Sequence, residues 1–370
     1  MKRIALLFVT SGHSGVDRVL ANLLPELANA GCEFDLLTVA GHGPYIDILP
    51  DNVTHRPLRA AHRGTVLFPL IAYLRCERPA ALITASHKLN RAALLARIIS
   101  RVPMRVTIRM GMSVTGLAAS MRPHQSRRLF RSMRRWYPYA DAAIVPSEGV
   151  ARDLLDYAGV SPERLHVIPN PIVNEHLDHA ATEPLDDPWF APDAPPVILG
   201  VGSLEPRKDF ATLVRAFGLL RRTRVLRLVI LGQGGERGRL EALARELGVS
   251  EDMRLPGFES NPYRWMRRAA VFVLCSRREG SGAVLVEALA CGTPAVATDC
   301  PTGPGDILQH GRIGPVIPVG DEQKLTTAIE QMLDQPPPAE TLRAAVESFD
   351  ARASARRYLQ VMGCPSGDGI

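Results

Sequence analysis

VFVLCSRREGSGAVLVEALACGTPAVATDCPTGPGDIL, residues 271–308, is the stretch whose reading decides the fold. It opens on an apolar run, Val271 to Ser276, of the kind a strand buried on both faces needs. Arg277 and Arg278 break that run, and Glu279-Gly280 follow. Ala283, Val284, Leu285, Glu287 and Ala288 then carry a helical segment that Gly292-Thr293-Pro294 stops, and AVATD reads as the next short strand. A strand, a glycine-bearing turn and a helix start suit an anion, because the first amides of a helix have no partner within it. Glu279 and Glu287 lie eight positions apart. If most of that span is helical, the carboxylates are separated by roughly 12 Å along the axis. Two carboxylates that act across one glycosidic bond sit about 5–9.5 Å apart. The spacing therefore suits the two ends of an elongated ligand with an anionic middle, as in a nucleotide sugar. Equally, it suits a plain helix with one capping and one surface glutamate, and spacing alone leaves both readings open.

Upstream, Val197 to Val201 reads as the first strand of the same sheet, followed by GSLEPRKDF. Arg207 and Lys208 are cations placed after a strand and a glycine, where a diphosphate is readily held. The later Gly232, Gly234 and Gly238 spell G-x-G-x-x-x-G, which is not the dinucleotide fingerprint and argues against a nicotinamide enzyme. Pro171, Pro184, Pro188, Pro192, Pro195 and Pro196 make residues 171–196 read as a linker. Ahead of it, residues 3–10, 34–39, 80–85, 105–109 and 141–146 alternate with helical segments, a β–loop–α–β pattern of Rossmann type. The expectation is four parts: residues 1–185, residues 186–345, a last helical segment at 346–363, and a frayed tail at 364–370.

Composition bounds the rest. With 370 residues, 46% of them hydrophobic, the chain can build two full cores. Residues 1–185 hold 22 Lys and Arg against 15 Asp and Glu, and the remainder 22 against 23, so the excess positive charge belongs to the first half. Its focus is Arg127, Arg128, Arg131, Arg134 and Arg135, interleaved with Leu129, Phe130, Met133, Trp136 and Tyr137. At helical spacing this is the pattern of a helix lying on an anionic lipid surface, or of a solvated charged helix packed on its own domain. A nucleic-acid partner is not expected, since no binding module accompanies the arginines. The six cysteines form no C-x-x-C pair, so reduced thiols are expected. No apolar run approaches the length of a membrane span and no signal peptide is evident, which points to a cytoplasmic protein, peripheral at most on the inner face of the cell membrane. No D-x-D pair occurs, so metal-independent chemistry without a cofactor is expected.

R-E-G-S-G-A-V-L-V-E-A-L-A-C-G-T-P-A-V-A-T-D-C resembles the E-x7-E signature of glycosyltransferase family 4 (group 1), and the similarity runs from about Val197 to Leu333. The resemblance implies a retaining enzyme of bacterial surface-polysaccharide type with the GT-B fold, two Rossmann-like domains facing across a cleft. It implies that Glu279 contacts the transferred sugar and Glu287 the ribose of the donor. It also places Gly280, Ser281, Gly282, Ala283, Val284 and Leu285 against the donor, with Gly257 and Phe258 bordering the base. Relatives usually read G-R-L-x-x-x-K where this chain has Gly202, Ser203, Leu204 and Lys208, so Arg207 is expected to replace the missing cation. Ser14-Gly15-Val16-Asp17-Arg18 resembles a family run, with Gly15 approaching the donor. The histidine that many relatives carry after the strand at 105–109 is absent, leaving His87 and Asn170 as acceptor-side candidates, although His87 reads first as a surface or capping residue. The implied substrates are a nucleotide sugar, UDP-linked by expectation, carrying a hexose or N-acetylhexosamine, and a glycan acceptor, lipid-linked by the basic helix. An epimerase or hydrolase of the same fold, or a non-catalytic sugar-nucleotide-binding protein, stays open at this point.

Overall fold

The computed structural model describes residues 1–8, 15–28, 30–39, 49–62, 64–119, 121–301 and 303–364. The chain divides into two compact units, residues 1–172 with 349 onward, and residues 173–348. The first unit is built on β1 (Lys2–Leu7), β2 (Cys32–Thr38), β3 (Val53–Pro57), β4 (Ala81–Ala85), β5 (Arg105–Arg109), β6 (Ala142–Val145) and β7 (Leu165–Val167). Among the described residues they run in the order β3-β2-β1-β4-β5-β6-β7, all parallel. The second unit carries β8 (Val197–Val201), β9 (Arg227–Leu231), β10 (Met253–Gly257), β11 (Val271–Leu274), β12 (Ala295–Thr298) and β13 (Val316–Ile317). Their order is β10-β9-β8-β11-β12-β13, again parallel throughout.

Both sheets are buried on both faces, which is why β8, β11 and β1 from Ile4 onward read as unbroken apolar runs rather than alternating ones. In each the strand order reverses once, between β1 and β4 and between β8 and β11. Crossover helices leave in opposite directions there, so the loops after those strands part and open a crevice at their carboxyl ends.

Residues 171–196 depart from the linker reading. Glu175–Thr182 is a helix, with the Asn174 side chain accepting from Leu177 N at 2.8 Å. It packs on the helix Tyr263–Met266, and Asn261 Nδ2 donates to Ala180 O at 2.9 Å and to Glu183 at 2.8 Å. Five of the six prolines come only after it, so this helix separates the expected boundary at 185 from the structural division after Ile172.

The helix Ala351–Met362 belongs to the first unit, where it packs on the helix Gly15–Glu26 and on β4 and β5. Cys364 just beyond it is disulfide-bonded to Cys32 at the start of β2, a correction to the expectation of reduced thiols throughout. With 332 positions between the partners, no spacing in the sequence signals the pair. The other cysteines are free. Burial pushes the thiols of Cys291 and Cys300 up to about 12, so neither is a ready nucleophile. No described helix is long and apolar enough to cross a membrane, and no described His, Cys, Asp and Glu cluster could hold a metal ion.

Candidate functional site

The site residues of the second unit gather at the carboxyl ends of β8 and β11, on both sides of the strand-order reversal. After β8 the chain passes Gly202 and Ser203 into the short turn Pro206–Lys208. After β11 it runs from Ser276 through Glu279 to Gly282, which adopts φ 62° as the residue preceding the helix Ala283–Ala290. Only that last part is helical, so the rise of a continuous helix does not set the Glu279–Glu287 separation. A side chain at Gly282 would also press on the end of Ile307 at 2.9 Å, but it is the left-handed backbone that favours glycine there.

The two loops are joined at their centre by an ion pair. Lys208 Nζ donates to Glu279 Oε1 at 2.6 Å, and the two side chains are only 9% and 8% exposed. The Ser276 hydroxyl donates to the same oxygen at 2.5 Å. Ser276 is itself fixed, because its carbonyl accepts from Thr298 Oγ1 at 2.6 Å. Arg277 N donates to Arg207 O at 2.8 Å, and the Arg277 guanidinium meets Asp209 at 3.0 Å. Arg207 is half-exposed, held by Glu205 at 2.8 Å and by the Ser203 hydroxyl at 3.2 Å. Glu287 is fully buried on the inner face of its helix.

A third loop supports the first. Leu204 N donates to Gln233 O at 2.8 Å and Gly202 N to Leu231 O at 2.9 Å. A Cβ on Gly232 would lie 1.8 Å from Gly202 O, and one on Gly234 2.3 Å from Leu204 O. The G-x-G spacing noted in the sequence thus serves close backbone packing of one loop on another. Gly232 N in turn donates to Gly257 O at 2.7 Å, which ties the end of β10 to the same edge, and Phe258 next to it is 56% exposed. A cavity of 350 Å³ on the flank is lined by Glu205, Asp209, Arg239 and Arg277, but by neither Lys208 nor Glu279.

In the first unit, Gly15 opens the helix Gly15–Glu26, and Ser14 lies outside the described residues. His87 is the first residue of the helix His87–Ser100, and its Nδ1 lies 3.3 Å from the Tyr137 hydroxyl. Burial, then Arg91 and Lys88, press the imidazole down to about 4, so it is neutral near pH 7. Asn170 is buried, its Oδ1 accepting from Arg109 at 2.6 Å. No described contact joins His87 to Asn170.

The basic segment is the helix Pro123–Trp136. Leu129 and Met133 are buried in the domain core, and Phe130 and Trp136 pack partly against it. Its apolar residues are therefore committed to the fold, Trp136 among them, rather than offered outward. Arg127, Arg128, Arg131, Arg134 and Arg135 are all exposed, and none is paired with a described carboxylate. A groove of 590 Å³ is lined by Pro123, His124, Arg127, Arg128 and Arg131.

Sequence reading passed over Ser276, Arg109 and Tyr358. Ser276 ends the apolar run three residues before Glu279, and Arg109 ends the strand that carries Val106 and Ile108. Each was a visible polar residue at a strand's carboxyl end, the place where such sheets bind ligands.

Two doubly wound parallel units are the architecture of the GT-B class, and the second holds a buried cation–carboxylate pair at its strand-order reversal. Residues 14–171 match the model of the glycosyl transferase 4-like domain, and residues 182–349 that of glycosyl transferases group 1. The chain belongs to the group 1 glycosyltransferases and is an enzyme that transfers sugars. It is 27% identical, over 90% of its length and 91% of the relative's, to the N-acetylgalactosamine-N,N'-diacetylbacillosaminyl-diphospho-undecaprenol 4-alpha-N-acetylgalactosaminyltransferase of Campylobacter jejuni. It is 25% identical, over 90% of each chain, to the amylovoran biosynthesis glycosyltransferase AmsD of Erwinia amylovora. Among solved structures, Anabaena HepE in complex with UDP and glucose superposes with a TM-score of 0.78 at 17% identity, covering 98% of this chain and 100% of the other.

Proposed function

We propose that this enzyme moves a hexose or N-acetylhexosamine from a UDP-sugar to a lipid-linked glycan, with retention of configuration, in the assembly of a cell-surface polysaccharide. The observation that carries the reading is the Lys208–Glu279 pair, 2.6 Å apart and nearly enclosed, beside the open amides that begin the helix Ala283–Ala290. A carboxylate held by a lysine and a serine is oriented before substrate arrives, and so costs little reorganisation when it binds sugar hydroxyls. Lys208 and Arg207 then face the leaving diphosphate, and the helix amides near Gly282 and Ala283 share its charge. Glu287 and the segment Gly257–Phe258 are assigned to the nucleoside, and Gly202, Ser203, Gly280, Ser281, Val284 and Leu285 to shaping the donor pocket. Gly15 is assigned to the donor from the first unit, and His87 and Asn170 to the acceptor. A neutral His87 can accept a proton, but no described geometry makes it the base, and the departing phosphate can take the acceptor's proton. The UDP-bound relative supports the donor, and the undecaprenol diphosphate in the name of the Campylobacter relative supports a lipid-linked acceptor.

The exposed arginines of Pro123–Trp136 supply the membrane contact, as an electrostatic attraction worth about 1 kcal/mol for each basic residue near an anionic surface. Contact of this kind keeps the enzyme on the inner face of the cell membrane. Replacing Arg127, Arg128 and Arg131 by Gln weakens co-sedimentation with anionic vesicles, and unchanged sedimentation removes the membrane claim. For the reaction, the protein is incubated with a panel of UDP-sugars and a lipid extract. Sugar transfer supports the proposal, whereas release of free sugar or an epimer alone refutes it. Glu279→Gln abolishes transfer while UDP still binds; equal loss of both contradicts the role given to Glu279.

A further inference from the structure

Arg109 ends β5 and is 2% exposed. Its Nε donates to the Tyr358 hydroxyl at 2.9 Å, and Nη2 donates to Asn170 Oδ1 at 2.6 Å. Both partners are neutral, and no described carboxylate forms an ion pair with this guanidinium. Buried charges are normally paired, because a lone one forfeits its hydration without return. The other terminal nitrogen, Nη1, makes no described hydrogen bond and borders Gly111, where any Cβ would lie 3.1 Å from it. Glycine at 111 thus leaves that nitrogen uncrowded by a neighbouring side chain.

The neighbouring strand end carries the same sign. Ala85 of β4 is the register partner of Arg109. Ser86 follows at φ 100°, a strained value for a residue with a side chain. Its hydroxyl is enclosed without a hydrogen-bond partner and does not cap the helix His87–Ser100 that it precedes. That helix has no acidic residue in its first turn, where its amides would attract one, and Lys88 and Arg91 stand in its first two turns.

We propose that Arg109 is the seat of an anion site at the carboxyl edge of the first unit, its free guanidinium edge taking a phosphoryl group, with the positive end of the helix His87–Ser100 adding attraction. On the transferase reading above, on which this assignment rests, the phosphoryl group is that of the acceptor.

The test uses the full chain and inorganic pyrophosphate, with saturating UDP present to fill the donor diphosphate position. Calorimetric titration of the wild type gives a measurable Kd, and Arg109→Gln raises it at least tenfold while UDP affinity stays within twofold. Tyr358→Phe keeps the cation and removes its strut, and binds pyrophosphate within threefold of wild type. Equal binding by Arg109→Gln, no binding by the wild type, or loss in Tyr358→Phe as large as in Arg109→Gln overturns the proposal. The comparison of Arg109→Gln with wild type reads the anion site whether or not UDP binds, so failure of the donor reading is seen separately. Should Arg109→Gln not fold, wild-type crystals soaked with UDP and pyrophosphate decide: an anion in ion-pair contact with Arg109 supports the site and its absence refutes it. Competitive inhibition of transfer by pyrophosphate against lipid-linked acceptor identifies the source as the acceptor; inhibition that the acceptor does not relieve overturns that assignment.

Discussion

Replacing Lys208 by Met tests the central pair most directly. The lysine and Glu279 are 2.6 Å apart and 9% and 8% exposed, so removing the lysine breaks an enclosed ion pair. Breaking such a pair costs about 3–5 kcal/mol. The Ser276 hydroxyl still donates to the Glu279 carboxylate, a contact worth about 1.5–3 kcal/mol as a hydrogen bond to a charged group, so the expected loss sits at the low end, about 3 kcal/mol. For a unit of this size each kcal/mol lowers Tm by about 2–4 °C, which puts the midpoint about 6–12 °C down. Glu279→Gln removes the charge and keeps much of the shape, so it costs less. The double variant Lys208→Met with Glu279→Gln has no lone buried charge, and is more stable than the sum of the single losses by about 2 kcal/mol. Scanning calorimetry on the four proteins supplies the cycle. Additivity within about 0.5 kcal/mol would mean that the two charges do not depend on each other, and the account of a preset carboxylate would fall with it.

Gly232→Ala forces a Cβ to within 1.8 Å of Gly202 O, so the loop after β8 must move; UDP affinity is expected to fall at least tenfold by calorimetric titration, and unchanged affinity would separate that loop from the donor. His87 sits near 4 when folded against an ordinary value of 6.5. The unfolded chain therefore takes up this proton first as pH falls, and the folded protein loses up to about 3 kcal/mol between pH 6.5 and 4. Urea titrations across that range should show His87→Gln losing less stability on acidification than wild type, and parallel losses would refute the enclosed neutral imidazole.

How much of this was legible beforehand depended on whether the signal was local. The strand at 197–201 falls where the apolar run placed it, because a parallel strand buried on both faces writes itself as an unbroken run, and the strand at 105–109 falls where expected although Arg105, Thr107 and Arg109 interrupt its apolar residues. The helix Pro123–Trp136 was likewise readable from its period. The helix Glu175–Thr182 was not, since six prolines nearby dominate the composition while its stability comes from packing on Tyr263–Met266, far along the chain. The pair of glutamates was visible, yet the partners that set Glu279 were only half so. Lys208 stood out as a loop cation, but as one for phosphate, and its contact with a carboxylate 71 positions away is a product of sheet order. The same holds for Cys32 with Cys364 and for Arg109 with Tyr358, each joined by a last helix that packs on the first unit.

The two sheets treat charge differently at corresponding places, and this difference bears on chemistry. In the second unit, three of the described cations at the strand-order reversal meet a carboxylate: Lys208 with Glu279, Arg207 with Glu205, Arg277 with Asp209. Such an edge is largely compensated before substrate arrives, so on the proposed reading a diphosphate donor exchanges partners with the protein as it binds and again as it leaves. That exchange favours turnover over tight capture, since a fully uncompensated cation cluster would hold the product diphosphate. In the first unit, Arg109 ends its strand with only neutral partners, and the adjoining helix begins without an acid. An edge left positive attracts an anionic group without prior exchange, at a place built by a different part of the chain. The division of charge thus gives the fold one edge suited to releasing a phosphate leaving group and another suited to holding a phosphate-bearing substrate in register.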